Sequence, residues 1–194
     1  MTTATPSIFY HLFPTAIGIC GIAWRGDAVV ASNLPEPTVS EIEARLIKRT
    51  GGAIEGEPPP VMQQAIDAIT GLLAGERRDL TFIRCDYGTD EVFRVQVYEM
   101  TRRIPPGETV TYGEIAERIG NKRFAQAVGQ TMGHNPLPII VPCHRVMGAN
   151  GKLTGFSAHG GIATKLRLLD IERTAMGAGD GLFDRLPLAV KPIG

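Results

Sequence analysis

The chain has 194 residues, a formal net charge of zero, 43% hydrophobic residues and 21% charged residues. This composition is typical of an ordinary globular protein with one large domain or two small ones. It argues against a strongly basic nucleic-acid binder, although a few gathered lysines and arginines suffice to bind phosphates. No apolar run approaches the ~20 residues that span a bilayer, and the first residues lack the pattern of a secretory signal. We therefore expect a cytoplasmic protein with no membrane partner, whose three cysteines are free thiols.

Residues 1–88 predict a small N-terminal α/β domain with an antiparallel sheet. The predicted elements are a hairpin, two helices and a further strand, at residues 16–32, 38–52, 61–75 and 80–85. The hairpin turns where a glycine lies between two charged residues. Ile42, Leu46 and Ile47 form the apolar stripe of the first helix, and two glycines stop it.

Residues 89–175 predict a mostly helical C-terminal domain, which places the whole chain in the α+β class. A first helix covers residues 89–104. A second helix opens with Thr111 and has Glu114 three residues later, which is a capping box, and it ends at Gly120. Because a third helix follows at once, the pair is typical of a helix-turn-helix. Two short helices can also be a plain packing unit, so both interpretations stay open at this point.

The third helix, roughly residues 122–133, separates inward from outward side chains at 100° per residue. Its predicted inward residues are Phe124, Val128 and Met132. Its predicted outward polar stripe is Arg123, Gln126 and Gln130. Small residues beside that stripe let the backbone approach a groove closely, and the minor groove of DNA is only ~6 Å wide. This detail strengthens the DNA-binding interpretation.

The last predicted helix begins near residue 160 and buries Ile162, Leu166 and Leu169. Glu172 lies next to that apolar face rather than opposite it. Residues 176–194 are rich in glycine and proline, and we expect them to form a loosely held tail.

Residues 139–146, IIVPCHRV, carry the most reactive side chains of the sequence. They predict a buried strand that stops at Pro142, which cannot donate a backbone hydrogen bond. Cys143 would then be exposed in a cleft, where the adjacent imidazole and guanidinium lower its pKa. Neighbouring residues of a strand point to opposite faces, so His144 reaches the thiol only if the chain turns or through a water. Glu172 is the carboxylate best placed in sequence to support the imidazole.

Two other interpretations of this cysteine compete with that of a nucleophile. A lone cysteine is most often a small buried hydrophobe. A zinc ligand is less favoured, because the sequence has no Cys-x-x-Cys pair and its other histidines and cysteines lack ligand spacing. We therefore expect no metal, and the residues alone leave nucleophile and core residue both open.

The stretch from VFRVQVYEMTRRIPPGETVTYGEIAERIG through AVGQTMGHNPLPIIVPCHRVMGANGKLTGFSAHGGIATKLRLLDIE resembles the O6-alkylguanine-DNA alkyltransferases. The segments IPPGETVTYGEIA, NPLPIIVPC and PCHRV carry the resemblance, which covers roughly residues 92–172 in unbroken order. It implies a monomer that binds alkylated double-stranded DNA in the minor groove and flips the damaged nucleotide out of the stack. The implied reaction moves a methyl or other alkyl group from guanine O6 to the cysteine, with O4-alkylthymine as a second candidate substrate. No cofactor is implied, and the thioether product cannot be opened by thiol exchange, so each molecule acts once.

The resemblance also assigns catalytic roles. Cys143 becomes the alkyl acceptor, His144 deprotonates it through a water, and Glu172 orients His144. Asn135 matches the hinge between the recognition helix and the cysteine segment. Tyr112 matches the tyrosine that rotates the phosphate and donates to the base.

Further residues match the substrate-base pocket and the DNA contacts of the family. The pocket residues are Met132, Val146, Phe156 and Ser157. The DNA contacts are Tyr112, Asn121, Arg123, Gln126 and Gln130. Ser157 would lie near guanine O6, and the Val146 backbone near the exocyclic amine. Phe156 replaces a tyrosine that many members have.

Position 126 departs from the family, which has an arginine that fills the space left by the flipped base. Gln126 lacks the charge and the planar fork of arginine, so the sequence predicts weaker DNA binding. Arg145 is expected to hold the loop, since a guanidinium has five fixed donors.

Two rival functions come from other classes. The first is a sensor that flips alkylated guanine without reacting, although such relatives lack the cysteine that this chain has. The second is a Cys-His hydrolase, which would need an oxyanion hole and a turnover route, and the sequence shows no independent sign of either.

Overall fold

The computed structural model describes residues 7–175, and the predicted tail at 176–194 lies outside the described residues. The fold is α+β, as predicted. The N-terminal half contains strands β1 to β4 and helices α1 and α2, at Phe9–Thr15, Gly18–Arg25, Ala28–Asn33, Ile54–Glu55, Val39–Thr50 and Pro60–Leu73. The C-terminal half contains helices α3 to α6, at Val92–Arg102, Tyr112–Ile119, Ala125–Gly133 and Ile162–Ala175, with short strands β5 and β6 at Val110–Thr111 and Val146–Met147.

The N-terminal sheet has the order β3-β2-β1-β4. Its first three strands are antiparallel, and the two residues of β4 add a short parallel edge beside β1. The predicted hairpin is therefore β2 and β3, whereas β1 was not predicted from the sequence. Pro14 interrupts the strand pattern of β1, because proline cannot donate to a ladder.

The strand predicted at residues 80–85 is wrong. This segment is irregular and touches the sheet through one isolated bridge between Val29 and Cys85. Arg102 donates to the carbonyls of Thr81 and Ile83 at 2.9 and 2.6 Å, and the Arg84 carbonyl accepts from the backbone N–H of Val29 in β3 at 2.9 Å. A guanidinium from α3 thus fixes the connection between the two halves.

The predicted helix-turn-helix is present, and its first helix begins with the predicted capping box and ends at the predicted glycine. Thr111 accepts from the Glu114 backbone N–H at 3.1 Å, and the Glu114 carboxylate accepts from the Thr111 backbone N–H, which completes the capping box of α4. Gly120 ends α4 with a φ of 118°, a conformation that strongly favours glycine. A 3-10 turn over Lys122–Phe124 leads directly into α5.

Three apolar residues predicted to be inward are exposed instead. Phe124 is 42% exposed, because the 3-10 turn before α5 has three residues per turn and shifts the phase of the helical face. Ile162 is 43% exposed, and the buried face of α6 consists of Lys165, Leu168, Leu169 and Glu172. Ile47 lies at the exposed margin of α1.

The two halves share one apolar core. A single cluster of buried side chains contains Trp24 and Met62 from the N-terminal half and Val97, Val128 and Leu137 from the C-terminal half. The helices of the C-terminal half therefore pack directly against the N-terminal half. Within residues 7–175, every helix is too short or too polar to cross a bilayer.

The two capping boxes offer a matched test of the helix-turn-helix. Thr111→Ala removes the cap of α4, and Thr38→Ala removes the equivalent cap of α1. Each variant should lower the free energy of unfolding by ~1 kcal/mol, because one orphan backbone donor loses its partner. Only Thr111→Ala should also weaken binding to duplex DNA, measured by fluorescence anisotropy. Equal losses of DNA affinity in the two variants would contradict a DNA-binding role for α4.

Candidate active site

The segment before the cysteine is a proline-rich turn. The buried strand predicted over residues 139–142 is wrong, because these described residues form no strand. Ile139 adopts a φ of 78°, which is rare for a β-branched residue, and only an isolated bridge joins Pro138 to Val141. The Asn135 side chain makes hydrogen bonds to the backbone of this segment that a neighbouring strand would otherwise make. It donates to the Val141 carbonyl at 2.8 Å and accepts from the Leu137 backbone N–H at 2.9 Å.

The chain turns at the cysteine itself. Cys143, His144 and Arg145 form a 3-10 turn, so the imidazole is not forced to the face opposite the thiol. A turn here is one of the two routes by which the sequence lets His144 reach the thiol. Within the described residues, however, no direct hydrogen bond joins the two side chains.

Cys143 is less accessible than the sequence predicted. It is 7% exposed and lies at a small cavity of about 20 Å³ that Phe156 and Ser157 also line. Such a volume holds about one water molecule. Burial raises the pKa of the Cys143 thiol, while the Asn135 side chain and the Lys165 charge act in the opposite direction. The resting side chain is therefore a thiol rather than a thiolate at neutral pH, and reaction requires a nearby base.

His144, the next residue in the turn, is the candidate for that base. Its ring is 1% exposed, and Nε2 lies 2.8 Å from Oε1 of Glu172. Burial lowers the pKa of His144 although Glu172 raises it, so the imidazole is neutral at pH 7. Because an ionised carboxylate can only accept, Nε2 carries the hydrogen and Nδ1 carries the lone pair. Nδ1 is buried and has no hydrogen-bond partner among residues 7–175.

Glu172 is held by several donors at once. Arg145 donates to it through Nη2 at 2.7 Å and Nε at 3.0 Å, and the Gly107 backbone N–H donates at 3.2 Å. Burial alone would raise the pKa of Glu172, but His144 and Arg145 outweigh burial and lower it to about 2. Arg145 also donates to the Ile104 carbonyl at 2.5 Å. The guanidinium thus ties the cysteine turn to α6 and to the end of α3.

Lys165 was missed in the sequence and lies against the same turn. Its side chain is fully buried, and Nζ donates to the Val146 carbonyl at 2.6 Å. Burial lowers the pKa of Lys165, whereas the nearby Cys143 raises it. The sequence does contain a signal for the burial of Lys165. It lies one turn before Leu168 and Leu169 and two turns before Glu172, on the same helical face.

The residues matched to the base pocket lie around this turn. Tyr112 is half-buried, and its hydroxyl is 3.0 Å from Oγ1 of Thr154. Met132 and Val146 are buried, Phe156 is half-buried and Ser157 is exposed.

The residues matched to DNA contacts, apart from Tyr112, lie on a different surface. Arg123, Gln126 and Gln130 are exposed along the outer side of α5 and the turn before it, as the helical spacing predicted. Asn121 is exposed, and its side chain accepts from the Arg123 backbone N–H at 3.0 Å. The structure therefore forms one buried constellation around Cys143 and one exposed polar stripe on the helix-turn-helix.

The buried carboxylate gives a testable dependence of stability on pH. The pKa of Glu172 falls from an ordinary 4.5 to about 2 on folding, so its contribution is complete above about pH 4.5 and is lost as the pH falls towards 2. Glu172→Gln should lower the free energy of unfolding at pH 7 by ~3–5 kcal/mol, since it leaves Arg145 unpaired.

The measurement is urea unfolding between pH 7 and pH 2.5. The difference between wild type and Glu172→Gln should shrink as the pH falls from 4.5, whereas the exposed control Glu57→Gln should match wild type throughout. A difference that stays constant across this range would show that Glu172 does not titrate at a depressed pKa.

Comparison with known proteins agrees with this geometry. Residues 92–174 match the family described as 6-O-methylguanine DNA methyltransferase, DNA binding domain. A methylated-DNA–protein-cysteine methyltransferase of Mycobacterium tuberculosis (strain H37Rv) is 45% identical over 177 residues, covering 91% of this chain and 99% of the relative. An inducible methylated-DNA–protein-cysteine methyltransferase of Bacillus subtilis (strain 168) is 32% identical and covers 93% of this chain and 98% of the relative.

The fold has a solved counterpart as well. The crystal structure of the M. tuberculosis protein in complex with DNA superposes with a TM-score of 0.65 at 35% identity, covering 86% of this chain and 94% of that one. The similarity extends through both halves of the molecule and includes the cysteine turn. The chain belongs to the methylated-DNA–protein-cysteine methyltransferase family.

Proposed function

We propose that this protein repairs alkylated DNA by moving the alkyl group from guanine O6 onto Cys143. The observation that carries the proposal is the buried His144–Glu172 pair beside the cysteine, which leaves Nδ1 of His144 as a neutral proton acceptor. A nucleophile with a base, and a base with an orienting carboxylate, is the arrangement that activates thiols.

The reaction balances without a cofactor. The thiol proton passes to Nδ1 of His144 through a bridging water, and the sulfur bonds the alkyl carbon as the carbon–O6 bond breaks. The electron pair of that bond stays on guanine, which takes up a proton, and His144 returns its proton to solvent. The products are guanine in DNA and a thioether on Cys143. Because thiol exchange cannot open a thioether, the protein is consumed.

The surrounding residues have separable roles. Glu172 keeps His144 in the required tautomer, and Arg145 keeps Glu172 ionised and fixed. Asn135 links the end of α5 to the cysteine segment through its two backbone bonds. Lys165 restrains the Val146 backbone, which is matched to the exocyclic amine of the base.

The base pocket uses side chains from α4, α5 and the loop before α6. Tyr112 donates to the flipped base, Met132 and Phe156 contact its faces, and Ser157 lies near O6. The alkylated nucleotide must leave the stack, because a stacked base cannot present O6 to a buried sulfur.

DNA is the macromolecular partner, and α5 is the element that enters the minor groove. Arg118, Lys122 and Arg123 are exposed at the turn between α4 and α5, where they can meet phosphates. Gln126 points out of α5 and fills part of the space left by the flipped nucleotide. The protein acts as a monomer in the cytoplasm, and O4-alkylthymine is a second substrate.

The rival functions are less well supported by the geometry. A sensor without transfer would have no use for a base beside the thiol. A hydrolase would need backbone donors aimed at an oxyanion next to Cys143, whereas the cavity there accommodates about one water.

Intact mass spectrometry separates these functions. Incubation with duplex DNA containing O6-methylguanine should add one methyl group to the protein, and peptide mapping should place it on Cys143. Cys143→Ser should bind the same DNA and gain no mass, because a serine hydroxyl is a far weaker nucleophile. Binding by wild type without a gain in mass would establish the sensor, and repeated turnover of an ester or amide would establish the hydrolase.

Gln126→Arg tests the position that replaces the family arginine. The added guanidinium should tighten binding to alkylated duplex by ~1–2 kcal/mol through a charge-assisted contact. Gln64→Arg adds the same charge on the exposed face of α2 and should leave the affinity near that of wild type. Anisotropy titrations at one fixed salt concentration measure both. An unchanged affinity in Gln126→Arg would refute insertion of this side chain into the DNA.

A further inference from the structure

We propose that Glu36, a residue of the N-terminal half, forms the wall that limits the size of the alkyl group accepted at Cys143. The inference rests on the proposed alkyl transfer and adds a specificity-determining residue to it. Under this inference, a residue of the N-terminal half helps to select the substrate, although the nucleophile lies in the C-terminal half.

The cavity at Cys143 lies between the two halves of the molecule. Its walls include Cys143, Phe156 and Ser157 on one side and Leu34, Glu36 and Arg45 on the other. The volume of about 20 Å³ suits a group the size of one water or one methyl. A benzyl group needs several times that space, so one wall has to move before it can enter.

Glu36 is held firmly in that wall. Its side chain is 6% exposed, and its carboxylate accepts from Nδ2 of Asn33 at 3.2 Å and pairs with Nη1 of Arg45 at 3.1 Å. Arg45 itself is 43% exposed, so the pair has one buried and one solvated end. Moving the carboxylate out of the wall breaks both contacts.

The backbone behind Glu36 cannot move away easily. At the end of β3, Ser32 donates through Oγ to the Pro138 carbonyl at 2.8 Å and through its backbone N–H to the Pro136 carbonyl at 3.1 Å. Nη1 of Arg49 donates to the carbonyls of Ser32 and Pro136, both at 3.1 Å. Three of these bonds, those to the carbonyls of Pro136 and Pro138, join the N-terminal half to the segment that leads to Cys143, and the fourth fixes Arg49 on Ser32. Extra room on this side must therefore come from side chains, and Glu36 is the buried carboxylate among those that line the cavity here.

The experiment compares single-turnover rates on duplex DNA containing O6-methylguanine with rates on duplex DNA containing O6-benzylguanine. Glu36→Ala should raise the benzyl-to-methyl rate ratio about tenfold, which is ~1.4 kcal/mol between the two activation free energies. Glu36→Gln keeps the volume and the bond from Asn33, so its ratio should stay within about threefold of wild type. Glu57→Ala is the matched control, because Glu57 is an exposed glutamate of the same half and does not line the cavity.

The outcomes separate this inference from the proposed function. If wild type transfers no methyl group, the proposed function fails. If it transfers methyl and the ratio in Glu36→Ala equals that of wild type or of Glu57→Ala, only the Glu36 wall is overturned, and the room for larger groups comes from the loop that carries Phe156. A ratio in Glu36→Gln as high as in Glu36→Ala overturns the size argument. Thermal unfolding of each variant confirms that rates are compared between folded proteins.

Discussion

The buried carboxylate of Glu172 is the interaction on which the site depends. An isolated charge in the interior is costly, and it becomes tolerable only when paired and hydrogen-bonded. The donors that satisfy it come from the cysteine turn and from the loop after α3, through His144, Arg145 and Gly107. One charge therefore holds α6, the turn and that loop together. It also dictates that the lone pair of His144 lies on Nδ1, so the same bonds that stabilise the fold set the tautomer that the proposed base requires.

A second constraint comes from the proline-rich segment between α5 and the cysteine. Prolines supply no backbone donors, so this segment cannot join a ladder, and side chains hold it instead. Asn135 bonds it from within, while Ser32 and Arg49 bond it from the N-terminal half. Ile139 persists at a positive φ because its surroundings over-determine its position. The N-terminal half is thus part of the support of the nucleophile.

Local signals in the sequence predicted the local structure well. The capping box of α4, the glycine stops of α1 and α4 and the outward stripe of α5 depend on neighbours within one turn, and they were found where the spacing put them. The strands predicted at 80–85 and 139–142 were wrong because side chains bond their carbonyls, Arg102 in the first segment and Asn135 in the second, which apolar runs do not reveal. The inward position of Lys165 was missed for the same reason, since its partner is a carbonyl on another element. Family resemblance, rather than periodicity, gave the catalytic roles.

The burial of Cys143 suits a protein that uses its sulfur once. A thiolate exposed to solvent reacts with oxidants and stray electrophiles in proportion to its ionised fraction, and each such reaction would consume a molecule. Burial raises the pKa of Cys143 and keeps it a thiol at rest, and in the proposed mechanism His144 accepts the proton when a substrate arrives. Reactivity is then confined to molecules that fit the cavity. A permanently ionised cysteine would react faster with everything, whereas this arrangement exchanges intrinsic reactivity for selectivity.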